Sequence, residues 1–161
     1  MTEQEAIRNF CDCANNDDLQ GCLESLKYIS IDTLNKQDDD DYDMLITEVV
    51  TGNPCAVAAL LQDNRCDRTH TENLCGRTAE EFAMDYPEDS LIRQAFANAP
   101  VQDFVYRNGE KISKGLICHR IITDTLDVDK GCFDMLDDVE RVKLLTCGKI
   151  SKEEFEQWQG N

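Results

Sequence analysis

Cysteine and histidine are the side chains in this sequence that are best suited to hold a transition metal. There are nine cysteines and two histidines, but only Cys11 with Cys13, and Cys118 with His119, lie close together along the chain. Structural zinc sites usually consist of two well-spaced pairs of ligands, and no Cys-x-x-Cys sequence occurs. An odd number of cysteines also argues against a disulfide framework. We therefore expect free cysteines that pack as small hydrophobic residues, with no metal and no cofactor.

Two segments resemble parts of a calcium-binding loop. Residues 148–155 have the glycine, the apolar residue and the final glutamate of an EF-hand loop. The first, third and fifth positions of that loop would be Lys143, Leu145 and Cys147, none of which carries a carboxylate. Residues 127–131 place their glycine one position too early. Because Ca²⁺ needs about six or more oxygen ligands, we expect no calcium site.

Motifs for covalent catalysis or phosphoryl transfer are missing from the sequence. It has no Gly-x-Ser-x-Gly, no P-loop and no dinucleotide-binding glycine pattern. Cys118 and His119 are adjacent, but neighbouring residues on a helix point about 100° apart, and a nucleophile needs its base within hydrogen-bonding distance. We expect a protein that is not an enzyme. An active site without a recognisable motif remains as an alternative.

The strongest chemical signal is negative charge. The chain has 33 acidic and 16 basic residues and a formal net charge of −17. Such a field repels nucleic acid and anionic membranes, so we expect neither as a partner, and it suits a protein with a basic surface. The charge is densest in residues 38–43, Asp-Asp-Asp-Asp-Tyr-Asp. Because successive carboxylates repel one another, this segment is expected to be a solvated loop. Its functional interpretation is a contact for Lys or Arg, with Tyr42 as an aromatic anchor.

The acidic run lies between short apolar segments that recur along the first half of the chain. Residues 44–50 and 54–61 have the apolar spacing of two short helices joined by a turn at residues 52–53. A shift of 35 residues aligns this pair with residues 79–96, and a shift the other way with residues 10–26. One such hairpin cannot bury its apolar side alone, so neighbouring hairpins are expected to stack. The second helices are expected to carry four large apolar residues inward: Leu26, Leu60, Leu61 and Phe96.

These segments resemble the ankyrin repeat. Residues 75–83 are similar to the Gly-x-Thr-Ala-x-x-x-Ala opening of late repeats, and residues 52–61 to the second-helix half of a middle repeat. Residues 16–26 are similar to the opening of a first repeat. The resemblance covers residues 3–97 and implies three helical hairpins.

The chain departs from the ankyrin pattern in three ways. Its period is 35 residues, where the family has about 33, so the connecting loops are expected to be longer. Glu48 and Glu80 occupy positions at which the family prefers alanine and leucine, which predicts a shifted or partly open core there. Residues 43–46, Asp-Met-Leu-Ile, replace the Thr-Pro-Leu-His tetrapeptide that normally ties off the start of the first helix.

The last third of the chain does not repeat. Apolar spacing predicts one helix over residues 112–122, a second over 133–145 and a third over 151–158, the last with a capping box at its start. The predicted fold is therefore all-α. Ankyrin-like repeats form residues 1–98, and a C-terminal helical segment, residues 99–161, caps the open end of the stack. A separate small helical domain is the alternative.

The resemblance also implies a function and a site. Ankyrin proteins commonly bind partners through the tips of their inter-repeat loops and the concave helix face, which predicts an adaptor or an inhibitor. The predicted contacts lie in two loops and on the neighbouring helix: Asp39, Asp40, Tyr42, Asp43, Thr47, His70, Glu72 and Asn73. The alternative is an acidic immunity-type or nucleic-acid-mimicking inhibitor of a basic enzyme. The first residues are acidic and no apolar stretch follows them, which predicts a cytoplasmic location.

Overall fold

The computed structural model describes residues 1–160, and the chain divides into two units, Met1–Val101 and Gln102–Asn161. Each unit has its own buried apolar core, and each is described by itself. Both units are mainly helical, as the sequence predicts. Between residues 1 and 160 no helix is long and apolar enough to cross a membrane.

Polar residues define where the helices of the first unit begin. Its helices are α1 Glu3–Asn15, α2 Leu19–Leu26, α3 Ile31–Asn35, α4 Met44–Thr51, α5 Pro54–Gln62, α6 Ala79–Ala83 and α7 Leu91–Asn98. Each follows a residue whose side-chain oxygen accepts a hydrogen bond from a backbone N–H of the first turn: Thr2, Asp18, Ser30, Asp43, Asn53, Thr78 and Ser90. Such caps satisfy donors that a helix cannot pair internally.

Consecutive helices of the first unit pack in pairs. α1 contacts α2, α4 contacts α5, and α6 contacts α7. The second helices of the pairs also contact one another in the order α2, α5, α7, and α4 contacts α6. Leu19 and Pro54, which begin α2 and α5, are 35 residues apart, as the predicted period requires, but α7 begins 37 residues after α5, so the period does not hold for every pair. Leu26, Leu60 and Leu61 are buried as predicted, whereas Phe96 is only half-buried.

The turn between α4 and α5 depends on three successive residues. Gly52 has a φ of 80°, in the left-handed region that favours glycine. The side chain of Asn53 caps α5, and Pro54 occupies its first position, where a missing N–H is no loss. The phenol of Tyr86 donates a hydrogen bond to the carbonyl of Val49, 2.7 Å away, and so ties the third helix pair to the end of α4.

The second unit begins with a β-hairpin that the sequence analysis does not predict. β1, Phe104–Arg107, pairs antiparallel with β2, Glu110–Ser113. Asn108 and Gly109 form the turn, and both have positive φ, as a two-residue hairpin requires. Ile112 therefore belongs to a strand, and the helix that the sequence predicts over residues 112–122 starts only after β2. The fold is mainly α, with this hairpin in addition.

Four helices follow the hairpin: α8 Lys114–Ile122, α9 Lys130–Asp134, α10 Asp138–Thr146 and α11 Lys152–Gln159. The single helix predicted over residues 133–145 is instead two, because Asp137 caps the start of α10 in a capping box. The capping box predicted at the start of α11 is present. Phe155 and Trp158 pack against Phe133, with ring centroids 5.9 and 5.5 Å from it, and are partly buried against the core of this unit. That the segment caps the first unit stays a prediction.

Candidate functional site

The two inter-repeat loops that contain the predicted contacts lie side by side. We call residues 36–43 the acidic loop and residues 70–77 the glutamate loop. The side-chain amide of Gln37 donates hydrogen bonds to the carbonyl of Asp41, at 2.8 Å, and to the carbonyl of Thr71, at 3.2 Å. This amide therefore bridges the two loops. We call the surface that they form together the loop edge.

Asn73 makes a second connection between the loops. Its side-chain amide donates a hydrogen bond to the carbonyl of Asp39, 2.9 Å away, and its backbone N–H donates to the carbonyl of Asp40 at 3.2 Å. Asp39 and Asp40 are exposed, and within residues 1–160 their carboxylates form no ion pair. The loop edge thus presents two uncompensated negative charges on a backbone that is held in place.

The acidic loop is also held by its own side chains. The carboxylate of Asp38 accepts hydrogen bonds from the backbone N–H groups of Asp40 and Tyr42, each at 2.9 Å. Asp41 has a φ of 59°, which aspartate tolerates better than most residues. The ring of Tyr42 is half-buried and meets the ring of Phe82 edge-on, with 6.1 Å between centroids. Tyr42 therefore supports the loop from the core, and only part of its ring is open to a partner.

A buried carboxylate fixes the glutamate loop. Glu72 is only 3% exposed, and its carboxylate accepts hydrogen bonds from the backbone N–H groups of Leu74, Cys75 and Arg77 at 2.7, 2.8 and 3.1 Å. Burial alone would raise the pKa of Glu72, but these hydrogen bonds and the charge of Arg77 outweigh it and lower the pKa below its ordinary value. Glu72 therefore shapes the loop from within.

The tip of the glutamate loop carries an apolar residue that the sequence analysis misses. Leu74 is 87% exposed, although its backbone N–H is bonded to Glu72. An apolar side chain on a fixed backbone loses little freedom when it is bound, and burying a leucine contributes about 1.5–3 kcal/mol. The signal available in the sequence is one leucine within an otherwise polar loop.

Asp43 and His70 link the start of α4 to the glutamate loop. Asp43 is 2% exposed, and its carboxylate caps α4 by accepting the N–H of Ile46 at 2.8 Å. Its other oxygen lies 2.9 Å from Nδ1 of His70, and Nε2 of His70 lies 3.2 Å from the carboxylate of Asp67. Burial lowers the pKa of His70, but the hydrogen bond to Asp43 and the charges of Asp67 and Asp41 raise it above the ordinary value.

This histidine is expected to make stability depend on pH. A histidine with a raised folded-state pKa stabilises the fold fully below its unfolded pKa of about 6.5, and the contribution is lost as the pH rises through the folded value. The free energy of unfolding should therefore fall as the pH rises above about 6.5, and His70→Gln should remove that part of the fall. Urea unfolding of both proteins across this pH range measures the effect. The same pH dependence in both would contradict the assignment to His70.

The eight predicted contact residues fall into three groups by exposure. Three are exposed on the loop edge: Asp39, Asp40 and Asn73. Three are half-buried: Tyr42, Thr47 and His70. Two are buried and make hydrogen bonds within the chain: Asp43 and Glu72. Fewer residues are therefore exposed to a partner than the sequence predicts. Leu74, which is not among the predicted contacts, is also exposed on this surface.

Two buried cysteines, Cys22 and Cys118, are poor nucleophiles. All nine are free, and within residues 1–160 no group of three or more His, Cys, Asp or Glu residues has the geometry of a metal site. Burial, with nearby Cys55, Cys13 and Asp18, raises the pKa of Cys22 to about 12. Burial and the charge of Glu140 raise the pKa of Cys118 to about 11. Such thiols stay protonated at neutral pH and are weak nucleophiles.

Thiol chemistry provides a simple check on the cysteines. Titration of the unfolded protein is expected to find nine free thiols, one for each cysteine, because the structure holds every cysteine free. Elemental analysis of the folded protein is expected to find no stoichiometric zinc. Two or more missing thiols, or about one zinc per chain, would overturn this expectation.

Chemically, the loop edge offers carboxylate acceptors beside one exposed apolar side chain on a fixed backbone. That combination suits recognition of basic groups next to an apolar pocket. No protein-family model, no curated protein sequence and no solved structure matches the chain. The function is therefore inferred from the residues and the geometry of the loop edge.

Proposed function

We propose that the protein acts by binding another protein through the loop edge and the adjoining surface of α4, as an adaptor or an inhibitor and not as an enzyme. The observation that carries this proposal is the fixed backbone of the loop edge. Hydrogen bonds within and between the loops hold it, while Asp39, Asp40 and Leu74 stay exposed. A preformed surface of this kind has little conformational entropy to lose on binding.

The net charge of the chain limits which partners it can attract. With a net charge of −17, the protein attracts basic surfaces at a distance and repels nucleic acid and anionic membranes. We infer a protein partner that places Lys or Arg near Asp39 and Asp40 and an apolar pocket over Leu74. Charges of this kind act mainly on the rate of encounter, and the apolar contact acts mainly on the lifetime of the complex.

We infer that the first unit is an ankyrin-like stack. The pairwise packing of its helices, the contacts among α2, α5 and α7, and the 35-residue spacing of α2 and α5 support this inference. In such a stack the loop edge lies on the side from which the inter-repeat loops project. The free cysteines support a cytoplasmic location, because thiols stay reduced there.

A capture experiment with three baits tests the proposal. The first bait is the wild-type protein, and the second is the loop variant, Asp39→Asn, Asp40→Asn and Leu74→Ser. The third is a control variant of the second unit, which loses the same charge and one exposed aliphatic side chain: Asp127→Asn, Glu153→Gln and Val139→Ser. Proteins retained from cytosolic extracts are quantified by mass spectrometry.

The expected result is a partner that the wild-type and control baits retain and the loop variant loses by about tenfold or more. If every retained protein binds the three baits equally, the loop edge is not the binding surface. Salt distinguishes the acidic-inhibitor alternative, because a complex held by charge alone weakens steeply with ionic strength, whereas one anchored by Leu74 does not. Substrate turnover by the purified protein would instead support an enzyme.

A further inference from the structure

The turn of the β-hairpin contains the single Asn-Gly sequence of the chain, at residues 108–109. Both residues are exposed, and both have positive φ, 52° for Asn108 and 79° for Gly109. Within residues 1–160 the side-chain amide of Asn108 forms no hydrogen bond, and the backbone N–H of Gly109 forms none either. Two groups that are able to react with each other are therefore adjacent in the chain, open to solvent and without other partners.

Asparagine is a thermolabile residue, because its side chain can react with the backbone that follows it. The backbone nitrogen of the next residue attacks the side-chain carbon Cγ. A C–N bond forms, the bond from Cγ to Nδ2 breaks, and ammonia leaves with the proton of the attacking nitrogen. Water then opens the resulting succinimide ring. Addition of water at the side-chain carbonyl gives aspartate in an ordinary backbone, and addition at the backbone carbonyl gives isoaspartate.

The backbone nitrogen that follows Asn108 distinguishes it from the other asparagines of residues 1–160. For each of the others, this nitrogen either belongs to Pro54, which has no N–H, or donates a hydrogen bond within the chain. Asn64 is the closest comparison, because it is also exposed and its side chain also forms no hydrogen bond. The N–H of Arg65, which follows it, donates to the carboxylate of Asp63 at 3.0 Å. Ring closure at Asn64 would break that hydrogen bond.

Gly109 also removes the steric barrier to ring closure. The peptide between residues 108 and 109 must rotate to bring its nitrogen to Cγ of Asn108. Glycine has no side chain to oppose this rotation, and even a Cβ placed on Gly109 would meet no atom within 4 Å. The rotation therefore breaks no hydrogen bond of the Gly109 N–H and meets no neighbouring side chain.

We propose that Asn108 is a site of covalent modification in the folded protein, at which a succinimide formed with Gly109 gives isoaspartate and aspartate. Either product adds a negative charge. Isoaspartate also routes the main chain through its Cβ, which lengthens a turn whose two residues must both have positive φ. The residues that flank the turn connect the hairpin to its unit, because Arg107 pairs with Asp129 at 3.0 Å and Glu110 pairs with Arg120. The proposal does not depend on the loop edge binding a partner.

The test ages the folded full-length protein and measures the product at each asparagine. Wild-type protein, Asn108→Gly and the matched control Asn64→Gly are incubated in mildly alkaline buffer without denaturant, and unfolded wild-type protein is incubated in parallel. Peptide mass spectrometry distinguishes the amide from the acid at each position, and enzymatic methylation by an isoaspartyl methyltransferase quantifies isoaspartate. A Gly-Gly turn also accepts positive φ at both residues, so Asn108→Gly is expected to keep the hairpin, and circular dichroism checks the fold.

In folded wild-type protein, conversion at Asn108 is expected to be at least about tenfold faster than at Asn64, because only Asn108 precedes a glycine with a free N–H. Isoaspartate should reach the wild-type level in Asn64→Gly and be nearly absent from Asn108→Gly. Equal conversion at Asn64 and Asn108 would overturn the role of Gly109. If Asn108 is converted in unfolded protein but not in folded protein, the turn protects it and the proposal is wrong.

Discussion

Leu61→Ala is expected to lower the free energy of unfolding by about 2–5 kcal/mol. Leu61 is 1% exposed and lies on α5, the helix that contacts both α2 and α7. Removing its side chain leaves a cavity in the core of the first unit, and neighbouring helices cannot close around it fully. Urea unfolding followed by circular dichroism measures the loss.

A second leucine provides the control for this prediction. Leu91 begins α7 and is 65% exposed, so Leu91→Ala should change the free energy of unfolding by less than about 0.5 kcal/mol. If Leu61→Ala also lowers the free energy of unfolding by less than about 0.5 kcal/mol, the shared core that the repeat register predicts is wrong.

The second large effect is expected in partner binding. If Leu74 enters an apolar pocket, Leu74→Ser should weaken the complex by about 1.5–3 kcal/mol, which is about 10- to 150-fold in the dissociation constant. Asp39→Asn with Asp40→Asn should mainly slow association and flatten its dependence on salt, because exposed charges at an interface act on encounter. Tyr42→Ala should weaken binding by about 1 kcal/mol or more if the open part of its ring contacts the partner.

Surface plasmon resonance with the captured partner separates these effects. Leu74→Ser is expected to increase the dissociation rate, and the aspartate substitutions to decrease the association rate. The control variant, Asp127→Asn, Glu153→Gln and Val139→Ser, should keep both rates. If the Leu74→Ser variant associates and dissociates at the wild-type rates, Leu74 is not the apolar anchor of the complex.

Local signals explain which elements the sequence predicts well. Gly52, Asn53 and Pro54 determine a turn and a helix start through their own backbone preferences, and the chain forms both there. The β-hairpin of the second unit is different. Its Asn-Gly turn at residues 108–109 is visible in the sequence, but the two strands are only four residues each. Four residues are too few to show the alternating apolar pattern of a strand, so the apolar spacing at Ile112 is equally consistent with a helix.

The candidate site shows that a charge pattern in the sequence does not reveal which carboxylates are buried. Asp43 and Glu72 have the sequence context of solvated loop carboxylates, and the structure buries both. Asp43 is buried because His70, 27 residues away, meets it, and Glu72 because the following backbone folds around its carboxylate. Tertiary contacts such as these produce no periodic pattern in the sequence, so the sequence does not predict them. The exposed residues Asp39 and Asp40 follow the simple rule that successive carboxylates stay in solvent.

Amide hydrogen exchange of the purified complex shows directly whether the loop edge binds the partner protein. Exchange of the free and the partner-bound protein is compared along the chain. Binding at the loop edge should slow exchange in residues 36–47 and 70–77 and leave exchange in the second unit unchanged. Slower exchange confined to residues 102–160, with the two loops unchanged, would contradict it.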